Sequence, residues 1–313
     1  MNIAIIGVGG VGGFFGGLLA KAGHNVTFVA RGEQFCALQK QGLTVKSVEG
    51  EYTLAEIRVV DSIRKLGRQN LIIVATKAYD LPQVATDLAI CDEPETVILT
   101  VQNGIYNDSI LKKYLNRAQI FPGLAYIISA RTLPGVIEQT AGPRTLIFGD
   151  RNRSGNSRLL EIEAVMKESG ILATASTDIL RDLWTKFIWI TTFAGMTSLC
   201  RCSIGELVND SEAFRLYVSC LDEGVAIAKA DGVAFSSEDR GKIIAKSEDY
   251  RKNGSHAKSS MLIDLENKRK TEIEVINGTI VSLGRKYSVP TPIHDTIYTA
   301  VRLAETHYLQ GRV

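Results

Sequence analysis

Residues 2–23 read NIAIIGVGGVGGFFGGLLAKAG, and this stretch limits the fold more than any other. A short apolar, β-prone run, NIAII, leads directly into Gly7, Gly9 and Gly12, spaced G-x-G-x-x-G. A helical stretch from about Val11 to Ala22 follows, Gly23 stops it, and HNVTFVAR reads as a second strand. Strand, glycine turn, helix and strand in that order form the opening of a doubly wound, Rossmann-type α/β sheet that holds a dinucleotide. Gly7 allows the tight turn, Gly9 lets the backbone approach a pyrophosphate, and Gly12 packs helix on strand. The helix N-terminus adds unpaired N–H donors and positive dipole for the phosphates.

The end of the second strand indicates which dinucleotide. An Asp or Glu there would bind a ribose 2′-hydroxyl, whereas an Arg suits a 2′-phosphate. This chain ends the strand in VAR, with Arg31; the nearby Glu33 falls beyond Gly32, at the next helix start. A guanidinium pairs with phosphate oxygens that a carboxylate would repel, so the reading is NADP(H) over NAD(H). Two further apolar runs end in polar residues: NLIIVATKAYD in Thr76 and Lys77, and TVILTVQNGI in Gln102, Asn103 and Gly104. Open α/β sheets bind ligands at the carboxyl ends of their strands, which places both endings toward one crevice. Strands are expected at 119–130, 134–141, 144–150 and 171–176, with a helix over 157–169, and the first domain is read as residues 1–177.

Beyond Asp178 the strand signals stop. Apolar positions recur at three and four, predicting helices at 179–199, 205–231, 237–250, 258–266, 271–287 and 292–308. The second domain, 178–313, is therefore read as all-α, with a small-substrate cleft expected between the domains. In its first helix the run from Leu183 to Cys200 is apolar or small except for Lys186. Such a lysine can cover apolar surface with its stem while its head reaches water. It can also be a working ammonium, because a shielded cation stabilises a developing oxyanion and donates its proton.

Composition removes several classes. With 36 basic and 34 acidic residues in 313, no strong field points to nucleic acid or a membrane surface. The chain enters the first strand without a positively charged leader, so a cytoplasmic protein is expected. The five cysteines, Cys36, Cys91, Cys200, Cys202 and Cys220, lack zinc-ligand spacing, so no metal is expected and a reducing compartment fits. Apolar helical faces permit a homodimer without requiring one.

Several pieces together resemble the ketopantoate reductase (2-dehydropantoate 2-reductase) family. They are GVGGVG at 7–12, Arg31, TKAYD at 76–80, QNG at 102–104, PGVI at 134–137, LWTKF at 183–187, IGEL at 204–207 and SSMLIDLENKRKTEIEVINGTI at 259–280. The last block is the most specific. The resemblance implies an NADPH-dependent enzyme of pantothenate synthesis that reduces a 2-keto acid. It makes Lys186 the catalytic lysine and Glu272 the acid beside it. It makes Ser260 a substrate contact, Asn103 a contact of nicotinamide and substrate, and Lys77 a lysine lining the cofactor cleft. An apolar setting depresses a lysine's pKa, and a carboxylate such as Glu272 opposes that shift.

The chain departs from the family where K-x-x-x-N-x-x-x-N is common: Ile190 and Ala194 stand in the two asparagine positions, and Ile204 in a third. Amides that could bind a polar substrate are missing there, which leaves a more apolar 2-keto acid open as the substrate. Two other readings remain at this level. A β-hydroxyacid or polyol-phosphate dehydrogenase would share the cofactor domain, but the SSML…TEIE…ING block argues against it. A non-catalytic NADP(H)-binding sensor would need neither Lys186 nor Glu272.

Overall fold

The computed structural model describes residues 1–252 and 255–311. The chain divides into two compact units, Met1–Ile179 and Leu180–Val313.

The first unit is built on a mixed sheet. Its parallel part contains β1 (Asn2–Ile6), β2 (Asn25–Val29), β5 (Arg58–Val60), β6 (Leu71–Val74), β7 (Val97–Thr100) and β8 (Gln119–Leu133). Between β2 and β5 the chain forms β3 (Leu43–Ser47) and β4 (Gly50–Leu54), an antiparallel pair at the other end of the sheet. The strand order is β4-β3-β9-β8-β7-β6-β1-β2-β5, where β9 is Val136–Gly149; β10 (Leu172–Ser176) also pairs with β9. The chain leaves β1 toward β2 on one side and later returns to β6 on the other. The order therefore reverses at β1, the place where such sheets bind ligands.

The central strands are predominantly apolar on both faces because both faces are covered. Ile3 and Ile5 of β1 point into one core, with Phe14, Phe15 and Leu19 of helix α1 (Gly10–Lys21). Ala4 and Ile6 point into the opposite core. There they meet Leu81, Val84 and Ala85 of α3 (Leu81–Asp87) and Leu111 of α4 (Asn107–Leu111). Helix α2 (Gly32–Gln41) follows β2, and α5 (Ser157–Glu168) adds Leu159, Ile162 and Met166 to the first core. This is the expected α/β sheet with helices on both faces. One detail differs: 134–141 and 144–150 are not two strands but one, because β8 pairs along β9 through three register shifts.

Among its described residues the second unit contains helices and connecting turns, and no strand. It comprises α6 (Ile179–Cys200), α7 (Ile204–Asn209), α8 (Ser211–Ala230), α9 (Ser237–Lys252), α10 (Ser260–Glu266), α11 (Asn277–Tyr287) and α12 (Pro292–Leu309). Two expected helices are shorter or broken. The stretch 205–231 divides at Asp210, whose carboxylate accepts the Ala213 N–H and starts α8. The stretch 271–287 becomes helical only at Asn277. Before it the chain turns, with Thr271 N–H and Oγ1 both donating to Glu305. The core of this unit gathers Phe193, Ala194, Met196, Tyr217, Met261, Ile276 and Ile297. Among the described residues no helix is long and apolar enough to cross a membrane.

Candidate functional sites

In the first unit a groove runs along the carboxyl ends of β1, β2 and β6. It is lined by residues that include Gly7, Gly9, Arg31, Gln34, Thr76 and Arg131. Gly7 holds φ +94°, and a Cβ there would lie 2.7 Å from Thr76 N, so the turn after β1 fits against the turn after β6 only without a side chain. Gly12 sits so close to β1 that a Cβ would lie 2.1 Å from Gly7 O. Gly9 is different: a Cβ there would meet nothing within 4 Å. Backbone is thus exposed to open space where α1 begins, with Gly9 itself at the N-cap. A pyrophosphate fits such a cradle.

Arg31 forms the N-cap of α2 at the end of β2, and its side chain is 66% exposed. It lies 3.6 Å from Asp87, which is buried and also pairs with Arg64 at 3.2 Å. Two guanidiniums therefore share one carboxylate and leave a positive surplus beside the groove. Arg131, from β8, adds a further cation to the lining, and Asp80 brings a carboxylate from the β6 side. Neither Arg131 nor Gln34 is visible as a site residue in the sequence. Buried Gln34 donates from Nε2 to Val8 O and accepts the Gly135 N–H, so it braces the glycine turn against the β8–β9 connection. No local pattern marks that long-range pair of bonds.

Lys77 and Asn103 follow β6 and β7. Both are half-buried, and neither belongs to the groove lining just described. The backbone oxygen of Asn103 accepts from Asn107 Nδ2, while buried Gln102 donates to Thr76 Oγ1 at 3.3 Å. The two strand ends are thereby tied together, with Gly104 at φ +117° turning the chain away.

In the second unit, Lys186 is only 8% exposed, on α6 between the buried residues Trp184 and Phe187. Glu272 is also buried, so it is not the solvated charge of a polar helix face. Burial pushes the Lys186 ammonium down to about 8; the Glu272 carboxylate opposes the shift and Lys246 adds to it. The structure thus brings the two sequence-predicted residues into electrostatic contact. The turn 271–276 does so: Val275 and Ile276 N–H groups both bond to Glu272 O. Buried Asn277, five residues on, donates from Nδ2 to Thr191 O of α6 at 3.0 Å and ties that turn to the lysine's helix.

Ser260 is exposed at the first position of α10. Its neighbour Ser259 is the buried one; it caps that helix through the Leu262 N–H and meets Thr197 Oγ1 at 3.0 Å. Ala194 and Ile204 are fully buried in the helical core, and Ile190 is half-buried against it. No group of three or more His, Cys, Asp or Glu side chains able to hold a metal occurs among the described residues.

The arrangement supplies a groove suited to a dinucleotide and, separately, a shielded lysine–glutamate pair suited to proton donation. Comparison with known proteins shows the family to which the chain belongs. The family described as "Ketopantoate reductase PanE/ApbA" matches residues 3–153, and its C-terminal counterpart matches residues 178–305. The chain is 30% identical over 306 residues to a 2-dehydropantoate 2-reductase of Archaeoglobus fulgidus, covering 97% of this chain and 98% of that one. It is 29% identical over 310 residues to the "Uncharacterized oxidoreductase YkpB" of Bacillus subtilis, covering 97% and 99%. Among solved structures, a 2-dehydropantoate 2-reductase from Geobacter metallireducens matches with a TM-score of 0.90 at 26% identity, over 97% of this chain and 100% of that one. A D-mandelate dehydrogenase with NADH and anilino(oxo)acetate matches with a TM-score of 0.89 at 25% identity, over 98% and 99%.

Proposed function

We propose a function from the premise that this chain belongs to the ketopantoate reductase family and is an oxidoreductase acting on CH–OH groups with a nicotinamide dinucleotide. Its reaction is the reduction of 2-dehydropantoate to pantoate, a step in pantothenate synthesis, with NADPH as reductant. Residues 1–177 serve as the cofactor domain and 178–313 as the catalytic domain.

Gly7, Gly9 and Gly12 admit the pyrophosphate at the start of α1, Arg31 receives the 2′-phosphate, and Lys77 and Asn103 contact the nicotinamide half. The preference for NADPH is supported by the guanidinium surplus around Asp87 and by the absence of a carboxylate at the end of β2. Bound there, the reduced nicotinamide supplies the hydride to the keto carbon. Lys186 holds the carbonyl oxygen by its ammonium and gives it a proton as negative charge develops. Glu272 keeps that ammonium charged, and Ser260 and Asn103 contact the substrate. The products are the 2-hydroxy acid and the oxidised cofactor.

The single observation that carries this reading is a lysine 8% exposed, in an apolar helix, paired with a buried glutamate. A sensor of NADP(H) has no use for a desolvated cation, which costs stability. The test is a panel of 2-keto acids, ketopantoate included, with NADPH against NADH, read as loss of nicotinamide absorbance. Turnover of ketopantoate with NADPH well above NADH is the expected result. No turnover of any 2-keto acid would overturn the reading.

A second reading has its own support. Ile190, Ala194 and Ile204 offer no amide for a polar hydroxyl, and the D-mandelate dehydrogenase neighbour is a structure with anilino(oxo)acetate. An apolar 2-keto acid outpacing ketopantoate in the same panel would favour it.

The proton donor sets the pH dependence. Lys186 acts only as an ammonium, and its pKa is pushed down to about 8, chiefly by burial. The ratio kcat/KM should therefore be level below that value and fall as pH rises through it. Glu272 raises the value, so Glu272→Gln should move the falling limb to lower pH. An unchanged limb in that variant would remove Glu272 from the role.

A further inference from the structure

We propose that Lys246, seated on the Trp189 ring, is the anchor for the substrate's carboxylate, an inference that rests on the 2-keto acid reading above.

On α6, Lys186, Trp189, Ile190 and Phe193 are spaced i, i+3, i+4 and i+7 and share one face of the helix. Helix α9 meets that face. Its Lys246 Nζ stands 3.9 Å from the centre of the Trp189 ring. One turn further along, Tyr250 stacks on Phe193 at 6.4 Å, and Phe193 stacks on Trp189 at 5.3 Å. This ladder of rings fixes the Lys246 ammonium on the lysine-bearing face of α6, close enough to Lys186 to repel its charge. A ring face holds an ammonium without supplying an opposite charge.

A second observation points the same way. The Trp189 Nε1–H is buried and has no acceptor among the described residues. Buried indole N–H groups usually find a partner, and leaving one unmade is costly. A carboxylate oxygen is such a partner, and the Lys246 ammonium beside the same ring can take the other oxygen. Ile190, the next residue, then faces the substrate's side chain with hydrocarbon, consistent with an apolar or branched 2-keto acid.

The deciding experiment compares 2-ketoisovalerate with its uncharged methyl ester in the NADPH-loaded enzyme. Lys246→Met keeps the stem over Trp189 and removes only the charge. It should raise KM for the acid about tenfold or more, as expected for a lost charge-assisted contact. It should also collapse the preference for acid over ester toward one, with NADPH affinity unchanged. Lys246→Arg should keep most of the preference, and Trp189→Phe, which retains a ring without the N–H, should lose part of it. A folded Lys246→Met enzyme with the wild-type acid-to-ester ratio would overturn the anchor and leave only a structural cation–π contact. A wild-type enzyme inactive on every 2-keto acid would instead overturn the functional reading, and the anchor with it.

Discussion

Lys186→Ala should lower kcat by about 10³-fold, the order expected when one group supplies both proton and oxyanion stabilisation. NADPH affinity should stay within about twofold, since uniform binding of the cofactor is a separate free-energy contribution. Packing and charge are separable at this position. Lys186 is only 8% exposed, so alanine opens a small cavity as well as removing the ammonium. Lys186→Met keeps the stem and should be as slow as the alanine variant. Single-turnover rates together with NADPH titration distinguish the outcomes. A near-wild-type rate in the methionine variant would show that the chemistry does not need this ammonium.

The second large effect concerns two glycines of the same motif. Gly12→Ala should destabilise the first unit by about 3 kcal/mol or more, because overpacking against fixed backbone cannot be relieved by a rotamer change. The added carbon would lie 2.1 Å from Gly7 O, so α1 has to move away from β1. Gly9→Ala should cost only the N-cap difference between Gly and Ala, about 1 kcal/mol or less, since its added carbon meets nothing within 4 Å. The space that carbon enters is the one assigned to the pyrophosphate, so NADPH affinity should fall by about tenfold or more, the loss expected where backbone approaches phosphate closely. Urea unfolding and cofactor titration on the two variants read the effects separately. Equal stability losses in both would mean that the motif serves packing alone.

How far the sequence reaches is visible at particular residues. The NIAII strand, the glycine turn and the α1 helix are legible because each depends on neighbours within a few positions. The strands β3, β4 and β5 are not, since they are short and carry polar residues. Nor is the length of β9, which reads as two strands until β8 pairs along it. In the helical unit the pattern of three and four marks the helices, but it runs past Asp210, a side-chain cap, and across 271–276, where Glu305 holds a turn from another helix. At the candidate sites, Lys186 is conspicuous as a charge in an apolar run. Lys246, Arg131 and Gln34 are ordinary surface-type residues until the fold brings them to a ring, a groove and a turn.

Sequence alone determined the chemistry that this protein can carry: a dinucleotide turn, an arginine where an acid would select the other cofactor, and a cation placed among apolar neighbours. These are properties of residue type and short spacing, which the chain states directly. Tertiary structure decided which charges meet. The pairing of Lys186 with Glu272, 86 residues away, depends on a turn pinned by Asn277 to α6. The need for glycine at position 10 likewise depends on a distant strand, since a Cβ there would lie 2.3 Å from Ser129 O of β8. Through-space distances of a few ångströms set both steric exclusion and electrostatic strength, and separation along the chain does not encode them.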